Sequence, residues 1–530
     1  MYDDKNSMAA SSTVFLSLIL LLVASLLFTL LEGARISGLK SNARMDSELV
    51  TESLLAAYCT PLVERYRLFL LDGSYGNGTL DATAIQNEAT DLMNENLSES
   101  GLLAGHSYDL YHMQAVSCEL KDYQLVTDGN GEAFYQLITD YMKNNLSIEA
   151  AELVYQRMQE AEEAKDTAGD LDEKREDALD SIQQAKEEKV QKEDAGKIDE
   201  NAENEKKVTI NAVGQIQAAT KQVSTQVDKS AQEQPAENPI EYVADWKNTG
   251  ILSLIGADEQ AMSELAIDRA NCLENREKAS GTMELSRSGE WYERILFQEY
   301  LMKYFGCYTE AKEDSALQYE LEYLIAGGTT DKENLAEVAT RLLAIREAAN
   351  FIFIQADKGK VAESLTLATL LIGYSCNPIL VRAVQEGILA AWAFAESVSD
   401  VKSLLNGERI PILKTSFQWS TEGKNLSKNQ TFDSSKKCEN GLDYRDYLRI
   451  LLYLGSKNTQ SLRAMDLMEQ NLHLMAGYEN IRMDAMLDQI SVDYSYQANP
   501  LFLSFVTVGN IVQNPYQWTV STQNTYLQQQ

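Results

Sequence analysis

Residues 13–31 carry no charged side chain, and no other feature restricts this chain as strongly. Four members of the run are Ser or Thr, and all the others are Leu, Val, Ile, Phe or Ala. As a helix the run is about 28 Å long, close to the hydrocarbon thickness of a bilayer. A cleavable signal peptide is the simplest alternative. Against it, the apolar run exceeds the usual length of about 7–15 residues, and Asp3 and Asp4 outnumber Lys5 ahead of it. No convincing small-x-small cleavage site follows it. The run therefore reads as a retained single-pass anchor.

Orientation draws on two opposed signals. Lys5 precedes the span, whereas Arg35, Lys40 and Arg44 follow it, and that count alone places the large domain in the cytoplasm. Long downstream domains nevertheless cross largely regardless of charge. The expectation is a single-pass cell-membrane protein with an extracytoplasmic domain.

Thr13, Ser17, Ser25, Thr29 and Gly33 recur every four residues or a multiple of four, the spacing that allows close helix–helix approach in lipid. The bland alternative is that the hydroxyls bond their own helix. Glu32 and Arg35 close the span at i, i+3, where they can pair or snorkel to the interface. Gly33, Ser25, Thr29, Glu32 and Arg35 are thus the candidate assembly residues.

The segment 26–36, LLFTLLEGARI, resembles the end of the anchor helix in TadE/TadG-like pseudopilins of tight-adherence (Tad/Flp-type) pilus systems. With the segment 66–72 and Ser74-Tyr75-Gly76, it is similar to an uncharacterised Gram-positive membrane-protein family associated with Tad loci. Family-like landmarks are Asp72, Tyr75, Glu322, Asp331 and Trp392. The chain departs from prepilins in lacking a Gly just before the apolar run with a Glu five residues later. The resemblance implies membrane lipid and other anchor-bearing pilus or secretion proteins as partners, with a homo-oligomer also open. It implies no activity.

Only 7 prolines and 28 glycines occur in 530 residues, which favours long helices. The expected fold is mainly α with a small mixed β-sheet, an α+β arrangement with a transmembrane helix continuing into a stalk, a helical body and a protruding coiled-coil hairpin. Its segments are a tail (1–12), the anchor (13–35), a stalk and α+β region (36–147), an acidic hairpin (148–234), a helical domain (235–484) and a C-terminal β segment (485–530). Strands are expected at 66–71, within 108–127, and as three runs near 490–496, 501–508 and 518–520. Asp128-Gly129-Asn130-Gly131 marks a turn, and Asp331 is the expected cap of the helix that starts there.

Residues 151–200 hold 17 acidic and 8 basic side chains, a net charge of -9. A sparse seam through Val154, Met158, Leu179 and Ile182, and a cleaner one from Val208 to Val227, suggest two limbs of an antiparallel coiled coil. A solvated acidic insertion is the alternative. The whole chain has a formal charge of -34, so a phosphate backbone would be repelled and no nucleic-acid partner is expected.

Motifs for phosphate cradling, a nucleophile elbow or a zinc protease are absent from the sequence, and no catalytic, cofactor or metal residue is nominated. The three histidines are His106, His112 and His473. The six cysteines are dispersed without a Cys-x-x-Cys and read as buried thiols. The leading expectation is a structural or accessory component of a Tad-like apparatus. Cell-envelope enzyme, carbohydrate-binding module and cytoplasm-facing scaffold are the alternatives. A carboxylate-lined pocket with raised pKa values would favour the enzyme or sugar-binding readings.

Overall fold

The computed structural model describes residues 3–98, 110–143, 170–195, 238–258, 260–285, 291–422, 440–503 and 514–526, with scattered positions in 151–163 and 426–438. Helix α1, Asp3–Ala56, is continuous over 54 residues. Its first part has no cover: from Val14 to Leu31 the large apolar side chains are largely exposed. Its second part is core, with Leu39, Ala43, Val50, Leu54 and Leu55 buried against a sheet. Pro61 begins α2, Thr60–Tyr66, at a position where the missing N–H costs nothing.

The sheet is antiparallel and built around its longest member. Strand β1 is Leu71–Asp72. Helix α3, Ala82–Leu97, is capped by the Asp81 side chain. It leads towards β2, Met113–Leu125. Strands β3, Met486–Ala498, and β4, Tyr516–Thr525, come from the far end of the chain. Strand β3 pairs with β2 along its length on one side, and with β1 and then β4 on the other. Ile490, Val492, Tyr494, Tyr496 and Ala498 alternate onto one face, where α1 and α3 cover them.

Between β2 and β3 the chain makes a helical body. Helix α4, Asp128–Lys143, opens on three left-handed residues, Gly129, Asn130 and Gly131. This is the expected turn, and it redirects the chain from sheet to body. Helices α5, Leu171–Ala195, and α6, Pro239–Asn248, follow. Next come α7, Trp291–Tyr304, α8, Glu320–Ala326, and α9, Asp331–Ala356. Helices α10, Lys358–Ile372, and α11, Pro378–Leu405, form a hairpin, and α12, Tyr444–Leu454, and α13, Lys457–His473, complete the body. Helix α11 is buried almost all round from Val384 to Leu405, as a central helix must be. Helices α5, α9 and α10 pack against it. The result is a mainly α fold with one small antiparallel sheet, not a mixed one.

Several expectations change. Residues 66–70 are not a strand. Arg67 adopts a left-handed conformation that ends α2, and only Leu71 and Asp72 find an open stretch of β3 to pair with. Two of the three C-terminal strands are present, but Leu501 and Phe502 lie in a turn and residues 504–513 fall outside the described region. Asp331 is not the cap of α9. Thr330 accepts from the Glu333 amide, and Glu333 reaches back to the Thr330 amide, closing a capping box. The described limb of the acidic segment, α5, lies on the body. Leu171, Ala178, Ile182 and Ala185 are buried in the main core. The seam at 208–227 is outside the described residues.

Candidate functional site

Glu32 and Arg35 sit one helical turn apart on α1, directly after the apolar run, and both are buried, at 1% and 5% exposure. Their ion pair measures 2.9 Å. The Arg35 guanidinium also donates to the carbonyls of Leu110 (2.5 Å), Tyr111 (2.5 Å) and Asn499 (2.9 Å). The Glu32 carboxylate accepts from the Phe502 amide at 2.7 Å, with the Leu501 amide at 3.3 Å. The pair therefore binds the approach to β2 and the exit of β3 to the turn of α1 that follows the apolar run. Charge-assisted bonds of this kind are the stronger class. Glu32 and Arg35, expected as residues for meeting other anchors, turn their bonding groups inward, onto their own chain. The i, i+3 spacing is visible in the sequence, but the carbonyls lie 75 and 464 positions away.

The small-residue row divides differently. Ser17, Ser25 and Thr29 each donate to a carbonyl three or four residues earlier on the same helix. Gly33 is exposed, and a Cβ placed there would meet nothing within 4 Å. Of the five candidate assembly residues, Ser25, Thr29 and Gly33 therefore stay on the open face.

The five landmarks are dispersed. Asp72 holds its own turn, accepting from the Ser74 and Gly76 amides at 2.9 and 2.8 Å. Tyr75, left-handed at φ 49, lies in that turn, and burial together with Glu88 pushes its hydroxyl pKa up. Asp331 accepts from the Gln318 and Tyr319 amides and from the Ser263 hydroxyl, fastening the loop ahead of α8. Glu322 accepts from the Tyr308 amide and the Tyr444 hydroxyl, and burial raises its pKa to about 7. The Trp392 indole donates to the Thr421 hydroxyl, and the Lys360 ammonium stands 4.1 Å above its ring centre. None of this set converges on a common point.

Two clusters were missed by the sequence reading. Arg346, Glu396, Asp400 and Lys414 form a fully buried ion network joining α9, α11 and the loop after it. The Asn350 amide donates to Asp400 and to Ser397, and Ser420 and Thr421 donate to Glu396. The only sequence signal was an Arg, a Glu and an Asp within otherwise apolar helical runs. The second cluster borders an open polar cavity of about 420 Å³ between α13 and the turns near residues 77–79 and 479–482. On its wall Arg276 grips Glu469 in a fork at 2.6 and 2.7 Å and also reaches Asp484. Two further carboxyls have their pKa raised to about 7 by burial, Asp466 and Asp488, and neither they nor Glu322 line this cavity.

Among the described residues no group of three or more His, Cys, Asp or Glu is arranged to hold a metal ion. None of the six cysteines is in a disulfide; Cys376 is exposed, Cys118 partly buried and the other four buried.

Residues 229–498 match the model of a family of unknown function, DUF5702. The matched stretch is just over half of the chain, and the chain belongs to that family. The match takes in the helical body from α6 onward and β3, with Glu322, Asp331 and Trp392, but not α1 with its apolar run or the Glu32–Arg35 pair. Comparisons with curated proteins and with solved structures gave no match.

Proposed function

We propose that the protein is a single-pass membrane protein whose folded domain stands outside the cell. It acts as a structural or accessory component of a Tad-like pilus or secretion apparatus. One observation carries the reading: α1 is a single helix with two fates. One half is locked into the core of the sheet, and the other exposes nearly every Leu, Val and Phe it carries. Such a surface suits lipid and other helices. The Tad-like context rests on the resemblance of residues 26–36. Contact with other anchors falls to the open face bearing Ser25, Thr29 and Gly33.

Gly33→Leu tests this, because Gly33 is exposed and a Cβ there meets nothing within 4 Å of the chain. The expected result is unchanged thermal unfolding together with loss of co-purification with other anchor-bearing proteins. Unchanged assembly sinks the proposal. Protease accessibility of the domain in intact spheroplasts checks the orientation, and protection there would favour the cytoplasm-facing scaffold.

The polar cavity beside Arg276 and His473 supports a second reading, a module that binds a small polar ligand such as a sugar at the membrane. A thermal shift with cell-wall saccharides, lost in Gln470→Ala, would favour it.

A further inference from the structure

We propose that the foot of the sheet is a second membrane-contact site. The proposal rests on the anchor reading above. Its occupant is the interfacial region of the bilayer that the anchor crosses, and its residues are Leu110, Tyr111, Leu501, Phe502 and Leu503.

The argument begins with direction. Tyr494 bonds Thr51, Tyr496 bonds Asp46, and the Phe502 amide bonds Glu32. As β3 advances, its partners on α1 step back towards the apolar run, so β3 is antiparallel to α1. From residue 51 to 32 a helix rises about 28 Å. From residue 494 to the end of β3 at 498 an extended chain covers about 13 Å, and the turn at 501–503 brings the Phe502 amide on to Glu32. The two run in opposite senses side by side, and the chain leaving β3 reaches the level of Glu32, the first residue after the apolar run.

Place and composition agree. Leu110 is 55% exposed and Tyr111 36% exposed at this level, and Leu501, Phe502 and Leu503 are partly exposed beside them. The segment 499–515, which joins β3 to β4, carries no charge, and eight of its members are Leu, Phe, Val or Ile. The chain as a whole is strongly acidic, so this stretch is an exception. Aromatic and aliphatic side chains at the headgroup level are what an interfacial contact uses. Pairing Glu32 with Arg35 also removes two charges at this level from lipid.

The test uses the full chain in phosphatidylcholine vesicles with and without acyl-brominated lipid, which quenches indole on contact. Phe502→Trp and Leu110→Trp are each compared with the parent protein. Leu22→Trp, in the anchor, and Tyr478→Trp, near the opposite end of β3, bracket them. The expected result is added quenching for Phe502→Trp, Leu110→Trp and Leu22→Trp, and none for Tyr478→Trp. If only Leu22→Trp is quenched, the anchor stands and the second contact is overturned. If Leu22→Trp is also unquenched, the anchor reading falls and this proposal with it. Circular-dichroism melts matching the parent show that each variant is folded, and the two foot positions on separate loops keep the test decisive should one variant unfold.

Discussion

Three carboxyls in this protein sit where a charge is costly. Glu322, Asp466 and Asp488 are buried, and burial is the first cause raising each pKa to about 7. Asp488 has the weakest compensation: one oxygen accepts from Gln124 only at 3.5 Å, and Asp140 adds like-charge repulsion. In the unfolded chain such groups titrate near 4. A folded-state pKa above the unfolded value gives stability that is present below about pH 4 and is lost as pH rises through about 7. Each such shift corresponds to a few kcal/mol. The urea midpoint is therefore expected to fall between pH 5 and pH 8. Glu322→Gln keeps an acceptor for the Tyr308 amide and removes the titration, so its midpoint should fall less steeply. Parallel pH profiles for parent and variant would refute this account.

At the scale of elements, α5 shows what periodicity can and cannot tell. Of the expected seam, Ile182 is buried and Leu179 partly so, while Leu171, Ala178 and Ala185 complete the buried face, and spacing does not name the partner. The partner is α11, far along the chain, which narrows at Gly387. A Cβ on Gly387 would lie 2.3 Å from the Ala178 methyl and 3.0 Å from Ile240. Two small residues let the helices touch, and Arg175 then pairs with buried Glu347 beside that contact. Gly387→Leu should force α5 away, costing about 1–3 kcal/mol by overpacking. Hydrogen exchange over residues 171–190 is expected to accelerate while the β3 amides stay protected. Unchanged exchange in α5 would show that it is not held by this contact. Other elements follow the same division. The helices, the alternation of β3 and the Asp128–Gly131 turn could be read locally, because their causes are local. The brevity of β1 depends on which stretch of β3 is open, whereas the cap of α9 is itself a local signal, the Thr330-x-x-Glu333 spacing of a capping box, with Asp331 bonded instead to the loop at Gln318 and Tyr319. The ion network of Arg346, Glu396, Asp400 and Lys414 joins three separate segments, so no spacing within one of them announces it.

For the whole molecule, the decisive joint is the one between the apolar run of α1 and the folded domain. A 54-residue helix of which one end stands uncovered and the other is core behaves as one rod only if the junction is fixed. The Glu32–Arg35 clasp fixes it, bonding the start of β2 and the exit of β3 to the same turn of α1. Removing one member leaves the other as a buried charge, a loss of about 3–5 kcal/mol, whereas removing both leaves no uncompensated charge. Arg35→Met alone should lower the unfolding temperature of the detergent-solubilised chain sharply. Glu32→Gln with Arg35→Met should recover part of that loss, so the two changes are strongly non-additive. An intermolecular role for the pair predicts the reverse pattern: the monomer would keep its unfolding temperature, and only assembly would fail. The two outcomes differ in a measurement on purified, monomeric protein, so the function of the pair is separable from the function of the helix face beside it. A domain held this rigidly would carry any rotation of the anchor directly into the sheet and, through α4, into the body.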